Sequence, residues 1–326
     1  MITLKNNKSN LKIIQEITKL VTKSTIIITS LFIFQAAANN PTENSLDTID
    51  VNNTAIEDTQ NNNKTLINAI SNNFKVTSNL KIVSLSPEIT HILKKLNYEQ
   101  NIVAVDKSSS KLELFNTVNT NNKEIHVVAD YYSVNLEKLL SLDFDYIFVN
   151  TEFNFKFLPH LEKLFPNKII KFCFKNINDI SKNYQEIGKL LLLDNKGKEI
   201  SNSINQFTNS IKNKYQSFNT KNIGIIIWNK PLMVAGNKTF LNEYIKLCNA
   251  NNVFKEIDSG YPHISVEKVL TTKLDKLISI TDSKQHLSNY LKNITIFDSK
   301  LKNLTLLTDD NLKNYLPLLC DKIHSN

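Results

Sequence analysis

The sequence of 326 residues contains no arginine, and all 39 of its Lys and Arg positions are lysines. Base readout by DNA-binding proteins relies on bidentate arginine, and grooves for single strands interleave arginine with aromatic rings. Lysine, asparagine and isoleucine are all abundant, which indicates biased nucleotide composition rather than a selected basic surface. The formal net charge of +8 is therefore no argument for a nucleic-acid partner, and we expect none.

Glycine is also scarce, with five residues in the whole chain. They are too far apart for a G-x-G-x-x-G fingerprint, a Walker A loop or a G-x-S-x-G elbow. Those motifs need backbone close to a phosphate or in a strained turn, which glycine permits most easily. Dinucleotide enzymes, P-loop ATPases and α/β-hydrolases are excluded on this ground. The five glycines are Gly188, Gly197, Gly224, Gly236 and Gly260.

The three cysteines, Cys173, Cys248 and Cys320, form no C-x-x-C motif. Their spacing excludes a cysteine-based zinc site and a thioredoxin motif. One disulfide with a spare thiol is open, but we favour three buried apolar thiols. The six histidines have no metal-ligand spacing either, so we expect no metal site.

The N-terminus is typical of an exported protein. Five lysines precede an uncharged apolar run from Ser24 to Phe34, and a small-residue site ends at Ala38. This order predicts a signal peptide over residues 1–38 and a periplasmic location, with an amphipathic membrane-associated helix as the alternative. The run is too short to span a bilayer. A lipoprotein anchor is not indicated, because no cysteine stands at the predicted cleavage site. Residues 39–79 are rich in Asn, Thr and Asp, which predicts a flexible leader.

From Leu80 onward, β-rich runs alternate with helical patterns, which predicts an α/β fold with parallel sheets. We expect two Rossmann-like lobes, one over residues 80–175 and the other over residues 221–326. Strands are predicted at Lys81–Leu85, Asn101–Val105, Glu124–Val128, Tyr146–Val149, Lys168–Phe174, Asn222–Trp228, Lys276–Ile280, Thr295–Phe297 and Leu304–Thr308. Helices are predicted at Pro87–Lys95, Leu136–Leu142, Phe155–Phe165, Phe240–Asn249 and Asn311–Ile323.

The segment between the lobes, residues 176–220, has helical periodicity and no proline. Ile200, Ile204, Phe207 and Ile211 fall at helical spacing and form one apolar stripe. A break is expected at Asp194–Gly197, and the part beyond it is about 30 Å long at 1.5 Å per residue. We predict a single long, rigid α-helix that joins the lobes, with a ligand cleft between them.

Four segments, taken in order, resemble the periplasmic binding proteins of ABC importers that serve vitamin B12, haem and ferric siderophores. They are Lys81–Thr90 (KIVSLSPEIT), Asn135–Val149 (NLEKLLSLDFDYIFV), Pro231–Phe254 and Tyr261–Leu270 (YPHISVEKVL). The resemblance implies a monomeric periplasmic solute-binding protein that delivers its ligand to the permease dimer of an ABC importer. It also implies no catalytic activity and no cofactor of the protein's own.

Within that family the cobalamin-binding member is most similar, so a corrinoid is the expected ligand and haem or a ferric siderophore the alternative. Loops at the carboxyl ends of parallel strands form the sites of α/β sheets, and several here are aromatic, which suits a flat macrocycle. The absence of arginine disfavours anionic chelates, although Tyr131, Tyr132 and His263 keep a haem ligand open. The predicted ligand-binding residues are Ser86, Pro87, Tyr131, Tyr132, Trp228, Pro231, Leu232 and Tyr261. Each ring has the alternative of being core, above all Trp228 at the end of a strand.

The resemblance also implies docking through one acidic residue on each lobe. Glu267 falls on the family's position in the C-terminal lobe, although Ser265-Val-Glu is also an ordinary helix start. In the N-terminal lobe, Lys156 stands near the expected acid and leaves Glu152 as a displaced candidate.

Two further classes compete with a binding protein. Asp143 and Asp145 superficially resemble a metal-binding pair, which would suit an exported enzyme on the same architecture. A degenerate paralogue with a structural role is the other alternative, because the N-lobe docking acid is displaced and glycine is scarce.

Overall fold

A computed structural model describes residues 79–112, 125–152, 156–257, 259–281, 285 and 287–325. All of them belong to one compact unit, Ala69–Asn326. The predicted signal peptide and all of the predicted leader before residue 79 lie outside the described residues. Among the residues described, no helix combines the length and the apolar character that a membrane crossing requires.

The N-terminal lobe is a parallel five-stranded sheet in the order β3-β2-β1-β4-β5. Its strands are β1 (Ile82–Leu85), β2 (Ile102–Asp106), β3 (His126–Ala129), β4 (Tyr146–Asn150) and β5 (Ile169–Phe172). Helices α1 (Pro87–Lys95), α2 (Leu136–Leu140) and α3 (Leu158–Leu164) connect them. Parallel strands need crossover connections, and these helices supply them. The predicted alternation of strands and helices is confirmed, and so is the predicted helix Pro87–Lys95.

The C-terminal lobe has a second five-stranded sheet, in which β10-β9-β6-β7 are neighbours and β8 also pairs with β6. Every pair in it is parallel except β6 with β7, which form an antiparallel hairpin. Its strands are β6 (Lys221–Asn229), β7 (Leu232–Val234), β8 (Ala250–Asn252), β9 (Lys276–Ser279) and β10 (Thr295–Phe297). Helices α6 (Phe240–Leu247), α7 (Val266–Thr271), α8 (Asn289–Ile294) and α9 (Asp309–His324) complete the lobe.

The two sheets share one apolar core. Strand side chains alternate between faces, so Ile82 points into this shared core whereas Val83 packs against an outer layer of the N-terminal lobe. In the other lobe Ile225 joins the shared core and Ile226 joins a separate outer cluster. The shared cluster also takes in buried residues of α1, α9 and the inter-lobe helices, so the lobes are packed on common apolar side chains.

The inter-lobe segment forms two helices, α4 (Ile177–Leu190) and α5 (Asp194–Tyr215), rather than one. They pack antiparallel, because Gln185 Nε2 donates to Ser201 Oγ at 2.7 Å and Ser181 Oγ donates to Asn205 Oδ1 at 2.8 Å. The chain turns at Leu192, which has a φ of 59°. The expected break at Asp194–Gly197 is thus corrected to residues 191–193. Only α5, about 33 Å long for its 22 residues, is the long helix that leads into the second lobe.

Gly197 explains why the hairpin can close. A Cβ on Gly197 would lie 2.4 Å from the carbonyl oxygen of Tyr184 on the facing helix, closer than real Cβ contacts come. The glycine predicted to end a helix therefore lies inside α5, where it lets the two backbones approach.

Two further expectations are wrong. The run Leu304–Thr308 is no strand: a 3-10 helix covers Ser299–Thr305, with Leu301 and Leu304 fully buried. The three thiols are not all free either, because Cys248 and Cys320 form a disulfide with a Cα–Cα distance of 4.9 Å, and Cys173 alone is free. Cys248 ends α6 and Cys320 lies in α9, so the bond ties the C-terminal helix to its own lobe.

One buried polar cluster crosses between the lobes. Asp309, at the start of α9, accepts hydrogen bonds at Oδ1 from Tyr184 Oη at 2.6 Å and pairs with His91 Nε2 at 2.8 Å. Burial alone would raise the pKa of Asp309, but its contacts with His91, Tyr184 and Lys95 outweigh burial and hold the pKa at about 2. The carboxylate is therefore ionised over the whole ordinary pH range.

We expect the disulfide to stabilise the C-terminal lobe. Replacing Cys248 and Cys320 by serine should lower the free energy of unfolding by about 2–4 kcal/mol, because the bond constrains a long loop in the unfolded chain. Urea unfolding measures the change, and dithiothreitol should lower the wild type to the level of the variant. Cys173→Ser is the matched control and should unfold like the wild type. Equal stability of all three proteins would contradict the prediction.

Asp309 should also make the free energy of unfolding depend on pH in the acidic range. Its folded pKa of about 2 lies below the ordinary 3.8, so its contribution is complete above pH 3.8 and is lost as the pH falls towards 2. The difference corresponds to about 2 kcal/mol. Between pH 5 and pH 2 the wild type should therefore lose about that much more unfolding free energy than Asp309→Asn. Asp194→Asn, at a helix start where the side chain is 48% exposed, serves as control; parallel curves for wild type and Asp309→Asn would contradict the assignment.

Candidate functional site

The carboxyl edge of the first sheet is held together by buried polar groups. Ser86 follows β1 and caps α1, where its Oγ accepts from Ile89 N and donates to Glu88 Oε2 at 2.6 Å. Asn150, at the end of β4, reaches the same Glu88 oxygen at 3.5 Å. Burial raises the pKa of Glu88, although the hydrogen bonds from Ser86 and Asn150 oppose this. The predicted ligand residue Ser86 is thus fully buried, while Pro87 beside it is half-buried.

The loop after β2 joins the same network. Asp106 accepts from the backbone of Ser108 at 2.7 Å and from the backbone and hydroxyl of Ser109. Thr90 Oγ1 lies at hydrogen-bond distance from Ser109 Oγ, 3.0 Å, and from Ser84 Oγ, 2.8 Å, which joins α1, β1 and this loop. These side chains are buried, so they fix the loops of the edge rather than face solvent.

The loop after β3 presents the two predicted tyrosines. Asp130 accepts from the backbone of Tyr132 at 2.8 Å and of Ser133 at 2.7 Å, and these bonds lower the pKa of its carboxyl. The resulting turn leaves Tyr131 59% and Tyr132 84% exposed. Their rings meet edge to face, with centroids 5.1 Å apart. Both are therefore surface aromatics and not core residues.

In the second lobe, the hairpin between β6 and β7 carries three of the predicted residues. Trp228 is 56% exposed and its Nε1 donates to the carbonyl of Lys230 at 2.9 Å, so the alternative of a core tryptophan does not apply. Pro231 is exposed and follows a cis peptide bond from Lys230. Leu232 is only 8% exposed and packs in the outer cluster of this lobe.

Tyr261 lies on a loop that pairs with β7. Gly236 N donates to Gly260 O at 2.7 Å, and a Cβ on Gly236 would lie 2.0 Å from Ser259 O, so this approach requires glycine. Tyr261 is 40% exposed, yet burial raises its pKa to about 12. Tyr244 is fully buried nearby, and its pKa is raised by burial and by Glu243 and Tyr261.

The two lobes repeat this local structure with an offset of 130 residues. Tyr131, Glu137 and Lys138 correspond to Tyr261, Glu267 and Lys268, and the exposure of the matching side chains is similar. Asn135 caps α2 by accepting from Lys138 N at 2.9 Å, and Ser265 caps α7 by accepting from Lys268 N at 3.0 Å. A tyrosine and an exposed glutamate thus stand at equivalent places in each lobe.

The repeat continues into the Asp-Phe-Asp sequence. Asp145 accepts from Lys81 N at 2.8 Å, and Asp275 accepts from Asn222 N at 2.6 Å at the equivalent place. Asp143 is exposed and pairs with Lys81 Nζ at 2.5 Å. The two aspartates therefore anchor the start of β1.

Glu137 was not among the docking residues predicted from the sequence. The signal was available, because the series Glu-Lys-Leu-Leu at 137–140 and Glu-Lys-Val-Leu at 267–270 is an internal repeat. Glu152, the candidate chosen instead, has a side chain that is 27% exposed, and its Oε1 lies 3.3 Å from Cys173 Sγ and 3.6 Å from Lys175 Nζ. Glu137 and Glu267 are both exposed in the first turns of their helices.

Two cavities lie away from these loops. One, of about 570 Å³, is lined by residues at the amino edge of the first sheet, including Lys81 and Asp143. The other, of about 350 Å³, is lined by residues of α4, α5 and α6, including Lys212 and Glu243. Neither contains a residue that the sequence predicted to contact a ligand.

Comparison with known proteins points to one family. The profile of the periplasmic binding protein family matches residues 82–289. The vitamin B12-binding protein of Vibrio parahaemolyticus is 22% identical over 201 residues, which are 61% of this chain and 70% of that protein. The periplasmic vitamin B12 binding protein BtuF of Vibrio cholerae has a similar structure, with a TM-score of 0.61 and 20% identity over 75% of this chain and 97% of that chain. S. aureus IsdE, solved in complex with haem, gives a TM-score of 0.60 and 17% identity over 76% of this chain and 99% of that chain.

Proposed function

The chain belongs to the periplasmic binding protein family, and we propose that it binds a corrinoid and delivers it to an ABC importer. The family and the curated relatives are binding proteins, which supports a role in solute capture rather than catalysis. The relatives named for vitamin B12 are only 22–24% identical to this chain, so the choice of ligand depends on the site itself.

The observation that carries the proposal is the set of exposed aromatic rings at the ends of β3 and β6 and at the loop beside β7. Tyr131 and Tyr132 in one lobe and Trp228 and Tyr261 in the other are each at least 40% exposed. Large exposed rings on loops that hydrogen bonds hold in place offer area for stacking on a flat macrocycle. We place the ligand between these loops, with Pro87 and Pro231 beside the rings. Ser86 and Leu232 are assigned to support of the loops, because both are buried.

The raised pKa of Tyr261 favours stacking over metal coordination in the second lobe. An axial bond to haem iron is made by the phenolate, whereas burial raises the pKa of Tyr261 to about 12 and so disfavours the phenolate. Haem remains the second candidate because Tyr131 and Tyr132 are more exposed and one solved structure of the same fold contains haem. A tyrosine from the first lobe would then be the iron ligand.

We assign docking on the importer to Glu137 and Glu267. The two carboxylates stand at equivalent places in the two lobes, in the first turns of α2 and α7. Both are exposed, and no salt bridge within 4.0 Å is found for either among the described residues. A partner made of two equivalent permease subunits could thus meet a similar acidic group on each lobe. Glu152 is less suited, since Lys175 and Cys173 already contact it.

A periplasmic location fits the family and the disulfide. Disulfides persist in oxidising compartments, and the Cys248–Cys320 bond is fully buried. We keep the signal peptide over residues 1–38 and a monomeric state as parts of this proposal.

The aromatic site is tested by pairs of substitutions. Tyr131→Ala or Tyr261→Ala should weaken cyanocobalamin binding by about ten- to a hundredfold, because each removes ring area worth roughly 1–3 kcal/mol. Tyr→Phe at either position should have little effect, since the hydroxyl is not used. Titration calorimetry with cyanocobalamin, and separately with haemin, measures the affinities. Tyr290→Ala, at a ring 73% exposed in α8, is the control for a surface aromatic outside the site.

The same variants separate the two ligands. If haem is the ligand, Tyr131→Phe or Tyr132→Phe should be as damaging as alanine and should shift the visible spectrum. If both alanine variants bind every tested ligand like the wild type, the placement of the site is wrong.

Docking is tested by uptake rather than by binding. Glu137→Gln and Glu267→Gln should each reduce uptake of labelled cyanocobalamin by about tenfold in cells that carry the variant in place of the native gene, with affinity in solution unchanged. Glu152→Gln is the matched comparison and should transport normally. A loss with Glu152→Gln but not with Glu137→Gln would return docking to the displaced position.

A further inference from the structure

The polar cluster around Asp309 joins three different parts of the molecule. His91 lies on α1 of the first lobe, Tyr184 on the inter-lobe helix α4, and Asp309 at the start of α9 in the second lobe. Asp309 Oδ1 lies 2.8 Å from His91 Nε2 and 2.6 Å from Tyr184 Oη. One carboxylate oxygen of the second lobe therefore contacts a helix of the first lobe and an inter-lobe helix at once.

The cluster is buried and its charges are paired. The side chain of Asp309 is 4% exposed and that of His91 12%, while Tyr184 is fully buried. The other charged groups that face it are Asp310, Lys95 and Lys313. Lys95 Nζ lies 2.6 Å from Asp310 Oδ1, and Lys313 Nζ lies 3.8 Å from Asp309 Oδ2. A buried carboxylate is tolerated only with such partners, so movement of α1 away from α9 would remove His91 and leave Asp309 with fewer partners.

Both ends of the contact are firmly attached to their own lobes. On one side, α1 starts at the buried Ser86–Glu88–Asn150 network, which fixes the loops of the candidate site. On the other side, α9 is bound covalently to α6 through Cys320. A change in the angle between α1 and α9 must therefore change the position of the site's first-lobe loops relative to the second lobe.

A divalent cation is the alternative reading of these groups. One ligand atom each of His91, Asp309 and Asp310 can be chosen so that all lie within 4.8 Å of one another. However, His91 already contacts Asp309 at hydrogen-bond distance, and Lys95 and Lys313 offset the two carboxylates. A cation would have to displace these contacts, so the geometry favours a contact between side chains.

We propose that Asp309 is a positioning residue that fixes the angle between the lobes through His91 and Tyr184, and thereby sets ligand affinity from outside the site. The effect on affinity rests on the proposed function, whereas the effect on the lobe angle does not. The two parts are therefore measured separately.

The lobe angle is measured first, on the full chain without ligand. Spin labels at Lys111→Cys and Lys300→Cys, exposed positions in different lobes, report the distance distribution between the lobes in a Cys173→Ser background. His91→Ala and Asp309→Asn should broaden or shift this distribution, and His91→Gln, which keeps a donor, should largely restore it. Asp143→Asn, which breaks the exposed pair with Lys81 inside one lobe, is the control and should leave it unchanged.

The affinity is measured next, with cyanocobalamin and haemin as the probes. Whichever of them the wild type binds should bind about tenfold more weakly to His91→Ala, and adding Asp309→Asn should weaken binding by less than the two separate effects together. Tyr184→Phe gives a third variant if Asp309→Asn does not fold. If the wild type binds neither probe, the distance distribution decides the positioning role by itself.

Two results would overturn the proposal. Variants that lose thermal stability but keep the wild-type distance distribution would show that the cluster has a structural role only. Stoichiometric Zn²⁺ binding by the wild type that is lost in His91→Ala would show that the cluster is a cation site.

Discussion

The two sheets bury one face each against a single common core, and the other features of the molecule depend on this constraint. Ile82 of β1 and Ile225 of β6 belong to the same apolar cluster, together with residues of the inter-lobe helices. Since burial of apolar area is the main stabilising term, separating the lobes would expose the centre of the protein to water. The lobes can thus differ in their outer layers and loops, but their inner faces must keep complementary shapes.

The candidate ligand site lies at loops that are outside the shared core. The loops at the carboxyl edges are not part of the shared core, so they can present rings such as Tyr131 and Trp228 to solvent. Their positions are nevertheless fixed, by Asp130 beneath the tyrosines and by the bond from Trp228 to Lys230. Stacking on a rigid ring loses little conformational entropy, which suits the capture of a dilute ligand. The repeated tyrosine and glutamate give both lobes the same local arrangement of side chains.

Local signals in the sequence predicted much of the fold, because the elements they mark depend on nearby residues. Ser86-Pro87 fixed the start of α1, and alternating apolar residues placed most strands within two residues of their ends. The turn at Leu192 could not be predicted in this way, since it lies in a run of four consecutive leucines, which are good helix formers. It arises because α4 and α5 pack face to face at Gly197. The same holds for the disulfide and for His91 beside Asp309, which join residues far apart in the chain.

Oxidation of Cys248 and Cys320 changes how α9 is attached to the rest of the protein. Thiols remain reduced in a cytoplasm and are oxidised outside it, so Cys248 and Cys320 stay separate until the chain reaches an oxidising environment. Before that step, α9 is held by apolar packing and by the polar contacts of Asp309. Afterwards a covalent bond also ties it to the second lobe, and Asp309 on the same helix stays at the lobe junction. The chemical surroundings of the molecule therefore decide whether its C-terminal helix is attached by non-covalent contacts only or by a covalent bond as well.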